Sequence, residues 1–427
     1  MGARAFPEAR ESSPAPATQQ RESRRCAKRD ADRNDPSVTR QSSHPFADVA
    51  IVGVHNTVQA RVLPEHDSTS IALAGALGAL ADAGIAPRDV DGVVGADCAQ
   101  IALELGLGPC TRRPTQMGIP AVLDAAALIT TGQCSVVLVA AGGAAVHVDR
   151  SATAPWTRPA NELVVGYGLF TAAEFALMAR RHMLTYGTTP EQMATAAAVI
   201  RTNGHANSEA VYFGRGPFSP ADVLASRMIA DPFHLLDCAT TSEGGCALVL
   251  TTAGRAGECD APVWILGGAS DAFGPAYVVA PVWDFQPRAD SFPAGLVGAR
   301  AARIAFAMAG LSVGDVDVAE LYDPFSFEII RQLEAFGFCS PGEGGPFVED
   351  GNIGPGAQLP VTTDGGTMSF SHPGINAQQL QRVIRATQQV RGSCASNQVE
   401  GAEVALCSNG GSGALFCDVL LLGPERP

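Results

Sequence analysis

A histidine and a thiol near the C-terminus carry the first chemical hint. His372 closes the stretch Thr362-Thr363-Asp364-Gly365-Gly366-Thr367-Met368-Ser369-Phe370-Ser371-His372-Pro373-Gly374, and Cys407 stands in Leu406-Cys407-Ser408-Asn409-Gly410-Gly411. Glycine lets the backbone approach a substrate closely and adopt φ > 0. An imidazole moves protons near neutral pH, and a thiol attacks a carbonyl or carries a proton to carbon. Held on such turns, the two suggest thioester chemistry. What remains to be found is a nucleophile opposite them.

Composition narrows the class. A chain of 427 residues can hold two domains or one large double domain. Apolar residues make up 46% and charged residues 17%, the balance of a globular chain with a large core. A formal net charge of -14 argues against a nucleic-acid binder, whose footprint is basic. The longest apolar stretch, Ser135 to Val148, is interrupted by Gly142, Gly143 and His147, so no membrane span is expected. The 11 cysteines are odd in number and form no CxxC pair, which points to reduced thiols in a cytosol. No ligand spacing indicates a metal or redox cofactor. Lys28 is the only lysine. Schiff-base aldolases and pyridoxal enzymes need a desolvated lysine in a pocket, and a P-loop needs one after its glycines. Those three classes are excluded for the folded body.

The elements that must hold the site follow from periodicity. Residues 1–46 are rich in Arg, Ser, Pro, Gln and Asp without apolar periodicity and read as a disordered extension. A buried-strand run opens at Val49 to Val54, a helix is expected from about Ser70 to Ala83, and a strand at Val90 to Val94. A second helix runs from Gly118 to Thr131, followed by the strand Val136 to Val139. Helical patterns occupy about 171–186, 190–203 and 220–228. Leu248 to Leu250 closes an N-terminal half, 47–255, and Val263 to Gly267 opens a C-terminal half, 256–427. Alternating strands and helices imply a parallel or mixed sheet with helical cover.

An internal repeat organises the body. Ala83-Gly84-Ile85 with Asp89-Val90-Asp91 recurs as Ala309-Gly310-Leu311 with Asp315-Val316-Asp317, at an offset of 226 (309 − 83 = 226). Val136 to Gly143 is echoed by Val404 to Gly411, at an offset of 268 (404 − 136 = 268). A helix opening near a Gly-Ile pair, Gly118-Ile119 or Gly374-Ile375, precedes each copy of the second motif. Two copies of one α/β unit would form a pseudo-twofold protein with its site between the halves.

Longer motifs give the chain a family likeness. They are Ser226 to Pro232 leading into Leu236-Asp237-Cys238 and Ser242 to Ala247, then Glu320-Leu321-Tyr322-Asp323-Pro324-Phe325-Ser326 leading into Phe336 to Cys339 and Gly342 to Gly345, with the His372 and Cys407 turns. Over about residues 48–424 the chain resembles the thiolase superfamily, in the sterol-carrier-protein type branch often called lipid-transfer proteins. The resemblance implies a five-layered αβαβα thiolase fold of two pseudo-twofold halves, a homodimer, and action on acyl-CoA thioesters, with coenzyme A thioester as substrate and no tightly bound cofactor.

The resemblance also assigns roles. His372 matches the histidine of the family's Gly-His-Pro motif, with Ser371 in place of the glycine, and Cys407 matches the second cysteine. Relatives carry Cys-x-x-Gly where this chain has Thr115-Gln116-Met117-Gly118, so the nucleophile slot holds Thr115. A hydroxyl is a far poorer nucleophile than a thiolate. Cys110, five residues upstream, is the alternative thiol. Tyr322 and Asp323 stand where classical thiolases order a water with an asparagine–glutamate pair. Thiolase-like retro-aldolases use tyrosine as acid or base, and Tyr322 suits that role, although those proteins carry tyrosine near the position of His372. Gly118, Gly366, Ser369, Gly374, Asn409 and Gly410 are expected to line the substrate, with helix N-termini supplying amides for an oxyanion. His205 and His234 are expected to be structural, and Cys238, Cys246, Cys339 and Cys417 to be buried.

The leading expectation is carbon–carbon bond cleavage or formation on a hydrophobic acyl-CoA, with His372, Cys407 and Tyr322 as acid–base groups. The alternatives are acyl transfer of the acetyl-CoA acetyltransferase type through another nucleophile, and a non-catalytic subunit that binds acyl-CoA or stabilises a partner. Relatives of this branch work beside a small OB-fold zinc-ribbon protein, a candidate partner here.

Overall fold

The apolar runs read from the sequence become strands of one sheet. A computed structural model describes residues 44–116, 118–145, 171–272, 296–411 and 416–427. All but the last three residues of the expected 1–46 extension lie outside the described residues. From Pro45 onward the described residues form one unit. The strands are β1 (Val49–Asn56), β2 (Gly92–Val94), β3 (Thr111–Arg113), β4 (Val136–Gly143), β5 (Met228–Ala230), β6 (Phe233–His234), β7 (Gly244–Thr252), β8 (Val263–Ala272), β9 (Val318–Glu320), β10 (Ala405–Gly411) and β11 (Phe416–Gly423). Nine of them pair in the order β3-β2-β4-β7-β1-β8-β11-β10-β9.

That order is a palindrome about the β1–β8 seam. β2 runs parallel to β4, β4 antiparallel to β7, and β7 antiparallel to β1. In the C-terminal half β9 is parallel to β10, β10 antiparallel to β11, and β11 antiparallel to β8. Only Ala50↔Trp264 and Ile51↔Val263 are paired across the seam, so the two half-sheets meet along a short antiparallel ladder.

The sequence repeat has a direct physical meaning. Asp91 accepts from the Ser135 and Val136 amides at 2.8 and 2.9 Å, and Asp317 accepts from the Glu403 and Val404 amides at 2.9 Å each. Each aspartate therefore ties the start of one strand to the turn before the next. Outside the half-sheets lie α1 (Ser68–Asp82) against β1, β4 and β7, and α6 (Ala299–Ala309) against β8 and β11. Their contacts repeat as well. A Cβ on Gly53 would stand 2.1 Å from the Ala79 carbonyl, and one on Gly267 would stand 2.2 Å from the Ala305 carbonyl. Ala79 and Ala305 are 226 residues apart, the repeat offset itself.

Between the half-sheets lies a central layer of α3 (Gly118–Thr130) and α8 (Ile375–Arg391), packed on one another. A Cβ on Gly118 would meet the Gln379 carbonyl carbon and the Leu380 nitrogen at 2.5 Å, so the two helices approach as closely as glycine allows. The remaining long helices, α2 (Cys98–Glu104), α4 (Thr171–Tyr186), α5 (Pro190–Ala206) and α7 (Ser326–Phe336), cover the flanks, with the core of the C-terminal half extending over α4, α5 and α7. Among the described residues no helix is long and apolar enough to cross a membrane.

The repeated contact predicts paired effects. Gly53→Ala and Gly267→Ala are each expected to cost about 1–3 kcal/mol of unfolding free energy, because backbone must move to admit the methyl. Gly254→Ala, in open space within a short helix, serves as a neutral or slightly stabilising control. Urea titrations decide it: unequal costs at the two sites would break the equivalence of the halves.

Candidate active site

The turn that carries His372 is anchored by buried charge. Arg382, in the middle of α8 and fully buried, grips Asp364 with both terminal nitrogens at 2.7 Å and lies 3.8 Å from Glu320. Glu320 closes β9 and accepts from the Thr363 amide at 3.0 Å and the Thr363 hydroxyl at 2.5 Å. Arg385 donates to the same hydroxyl at 2.8 Å. Asp323 accepts from the Thr367 and Met368 amides at 2.7 and 3.0 Å, which caps the tight turn Gly366–Phe370. Burial pushes the Asp323 carboxyl up to about 7, against the pull of Arg382 and the two amides. Burial and Asp364 move Glu320 in the same direction. From the other side Arg201, also fully buried, donates to the carbonyls of Leu236, Met368 and Cys238 at 2.6, 3.1 and 2.8 Å.

His372 leaves this turn half-buried. Its amide donates to the Ser242 hydroxyl at 2.7 Å, and the Ser242 amide donates to its carbonyl at 3.3 Å. Ser371, in the family's glycine position, bonds the Ser242 hydroxyl at 2.9 Å and donates to Gln59 at 2.6 Å. Burial draws the His372 imidazole down to about 4, opposed by a hydrogen bond with Gln378. At neutral pH the ring is uncharged, able to donate from one nitrogen and accept at the other.

The start of α3 differs from the expectation of open amides. With its amide turned to satisfy both ends, Asn409 accepts from the Gly118 and Ile119 amides at 3.3 and 2.5 Å and donates to the carbonyls of Ser408 and Gln379 at 3.2 and 3.1 Å. Asn409, expected to meet substrate, is instead a cap supplied by the C-terminal half to the N-terminal helix. Thr115, expected as the nucleophile slot, donates its hydroxyl to Asp124 in the second turn of α3. A pocket lined by Gly95, Asp97, Thr115, Gly118, Ala121, Val139, Asn376 and Leu380 opens at this helix end. The structure thus brings Thr115 and Gly118 together at one pocket, with the α8 start beside them.

The other expected residues fall into two settings. Cys407 is fully buried within the central core, its thiol directed at the Leu420 carbonyl at 3.7 Å. Burial, then the neighbouring Glu320, pushes that thiol above the usual range. It lies inside the core. Tyr322 is 5% exposed and packs beside Gly410, where a Cβ would come 3.1 Å from its ring. Gln379 holds the Gly410 carbonyl at 2.8 Å. Ser369 is buried against α5, where a Cβ on Gly204 would meet its own Cβ at 2.3 Å. Gly366 lies against the Asp323 carboxylate, and Gly374, at φ 100°, opens α8. Ser369 and Gly366 are therefore closely packed, while Gly118 both packs against α8 and lines the pocket. Cys110 is half-buried in the loop before β3. His205 accepts from the Gly216 amide at 2.9 Å, and His234 pairs with Asp237 at 3.5 Å, both structural as expected. Cys246 and Cys417 are fully buried, while Cys238 and Cys339 are partly so.

Sequence reasoning missed Arg382, Asp364 and Glu320. Arg382 sits in Gln378-Gln379-Leu380-Gln381-Arg382, a run that reads as a wetted helix face. The one available signal was Asp364 immediately before Gly365-Gly366, a carboxylate on a turn too tight to project into water.

Comparison with known proteins places these features. The Thiolase C-terminal domain-like family model matches residues 290–423. An acetyl-CoA acetyltransferase of Methanothermobacter thermautotrophicus is 31% identical over 384 residues, spanning 86% of this chain and 97% of that protein. A steroid side-chain-cleaving aldolase of Thermomonospora curvata is 33% identical over 340 residues, spanning 73% and 84%. A solved structure, the Ltp2-ChsH2(DUF35) aldolase, superposes with a TM-score of 0.75 at 29% identity, covering 88% of this chain and 98% of that one.

The buried cluster generates a test. Arg382→Met leaves Asp323 and Asp364 without their main counter-charge and Glu320 with Arg385 alone, and is expected to cost about 3–5 kcal/mol. The cost should be larger near pH 8 than near pH 5 (both about), since the carboxyls escape by taking protons as the pH falls. Wild-type Asp323 carries the same sign: its pKa is raised from 3.8 to about 7, so its contribution is full below about 4 and is lost as the pH rises through 7. Urea unfolding at the two pH values measures this, and a pH-independent cost would disprove it.

Proposed function

This chain belongs to the thiolase superfamily, in its sterol-carrier-protein type branch, and we propose that it cleaves or forms a carbon–carbon bond in a hydrophobic acyl-CoA. The observation that carries this reading is the occupied start of α3. Acyl transfer needs a nucleophile and an open oxyanion site. Here the Thr115 hydroxyl is given to Asp124 and two helix amides are given to Asn409. A retro-aldol step needs neither. The β-hydroxyl loses its proton, the Cα–Cβ bond breaks as the carbonyl forms, and the electron pair passes into the thioester as an enolate. A proton then returns to Cα. Neutral His372 is suited to donate an N–H to the enolate oxygen. Tyr322, beside Gly410 at the neighbouring strand ends, is suited to the proton transfer at Cα. Cys407, enclosed in the core, takes no part.

The aldolase relative supports this reading, as does the TM-score of 0.75 to a solved aldolase whose name joins two components. By the same analogy we propose a second, DUF35-type partner for this chain, a homodimer of the two-half unit 47–255 and 256–427, and a cytoplasmic setting. One observation favours acyl transfer: the acetyl-CoA acetyltransferase relative spans 86% of the chain. Under that reading Thr115 or Cys110 would be acylated. Intact mass after exposure to acetyl-CoA and a 3-ketoacyl-CoA separates the two, and an adduct on either residue would restore acyl transfer.

For the lyase, His372→Ala is expected to lower cleavage of a branched 3-hydroxyacyl-CoA by about 100-fold, the effect of losing one oxyanion donor. Because the imidazole is held at about 4, the pH profile should lack an inflection near 6.5 and fall on the acid side only near 4. Full cleavage by the alanine variant would end the assignment.

A further inference from the structure

An oxyanion donor acts only where its N–H stands about 2.7–3.1 Å from the place the charge will appear. His372 is the donor proposed for the enolate, and it sits on chain that is neither helix nor strand. Something must hold its backbone to that tolerance.

A line of buried polar side chains ends on its amide. The members are Gln59, in the loop after β1, then Ser371, then Ser242 just before β7. The Gln59 amide nitrogen donates to the carbonyls of Thr57 and Gly245 at 2.7 and 3.2 Å. Those two carbonyls fix which end of the amide carries nitrogen. Its oxygen faces the other way, accepting from the Ser371 hydroxyl at 2.6 Å and from the Gln381 amide of α8 at 3.0 Å. A hydroxyl has one proton to give. Ser371 spends it on Gln59, so at its 2.9 Å contact with Ser242 it must accept, and Ser242 must donate. The Ser242 oxygen in turn takes the His372 N–H at 2.7 Å. Every proton in the line points one way, from His372 toward Gln59, and such a chain strengthens each of its members.

Glycines make room for the line. A Cβ on Gly244 would stand 2.0 Å from the Gln59 side-chain oxygen, and one on Gly143 would stand 1.5 Å from the Pro373 carbonyl oxygen. His372 is thus held at its amide by the line and, one residue on, by Pro373 against β4. Gln378 of α8 reaches the ring itself. Gln59 has both donors and both acceptor positions used inside the protein, so it has none to offer a substrate.

We infer that Gln59, 312 residues before Ser371, is a positioning residue of the lyase, fixing the His372 backbone through Ser371 and Ser242 so that the imidazole N–H meets the enolate oxygen. The inference rests on the role proposed above for His372.

Two variants break the line at different links in the full-length protein. Gln59→Leu removes the terminal acceptor. Ser371→Ala removes a single oxygen atom and serves where the larger change prevents folding. Each is expected to lower kcat for the 3-hydroxyacyl-CoA by about 10-fold, within the roughly 100-fold that a misplaced group can lose, with KM little changed. Combined with His372→Ala, neither should slow the enzyme further, because the donor they place is gone. A merely structural role would lower both backgrounds by the same factor. A second readout needs no turnover. With histidines labelled with nitrogen-15, and His372 assigned by its loss in His372→Ala, the ring signal of His372 should shift in both variants. Equal slowing in the two backgrounds overturns the positioning role and leaves the lyase standing, and so does a His372 signal unmoved in both variants. Absence of cleavage by the wild type overturns the lyase reading, and the ring signal then decides the positioning alone.

Discussion

A fully buried guanidinium fixes the position of everything near the site. Arg382 lies in the central helix layer, where water cannot solvate a charge, and the surrounding sequence supplies three carboxylates from Glu320, Asp323 and Asp364. Burial of ions is costly, and such a cluster survives only when its geometry is tight and its lone pairs are used. Here the carboxylates spend their remaining lone pairs on amides and hydroxyls of the 363–368 turn. The turn is held by the charge and the charge by the turn, so neither can shift alone. Arg201 closes the arrangement from the opposite side by drawing Met368 toward the segment 236–238.

Both turn-fixing arginines are occupied inside the protein, and His372 emerges from the turn uncharged. At α3 the helix dipole is already answered by the Asn409 amide. Asn409 belongs to β10 and Gly118 to α3, so this cap also joins the two halves of the duplicated fold. A single side chain thereby fixes the central helix pair and occupies the first two amides of α3.

Much of the architecture was legible in the sequence because it rests on local rules. The offset of 226 identified Asp91 and Asp317 as equivalents, and both tie neighbouring strands by the same amide pair. The strand and helix spans followed apolar periodicity closely, with Gly84 and Gly310 ending helices at φ near 64° and 63°. The site was less legible because it rests on long-range contacts. The stretch from Asn376 to Arg391 has the polarity of a surface helix, yet most of its described side chains are buried, since their partners come from β9 and the 363–368 turn. Nothing local marks Asn409 as a cap for a helix nearly 300 residues earlier, or Thr115 as the partner of Asp124.

The same distinction bears on the chemistry. Motif likeness assigns positions, here those of His372, Thr115 and Cys407. It does not transfer environments. The Cys407 thiol, on β10, is enclosed in the core, and the Thr115 hydroxyl is bonded to Asp124. What the fold leaves at the start of α3 is a pocket whose hydroxyl and first helix amides are already bonded within the protein, because their partners, Asp124 and Asn409, are brought there by the helix itself and by β10.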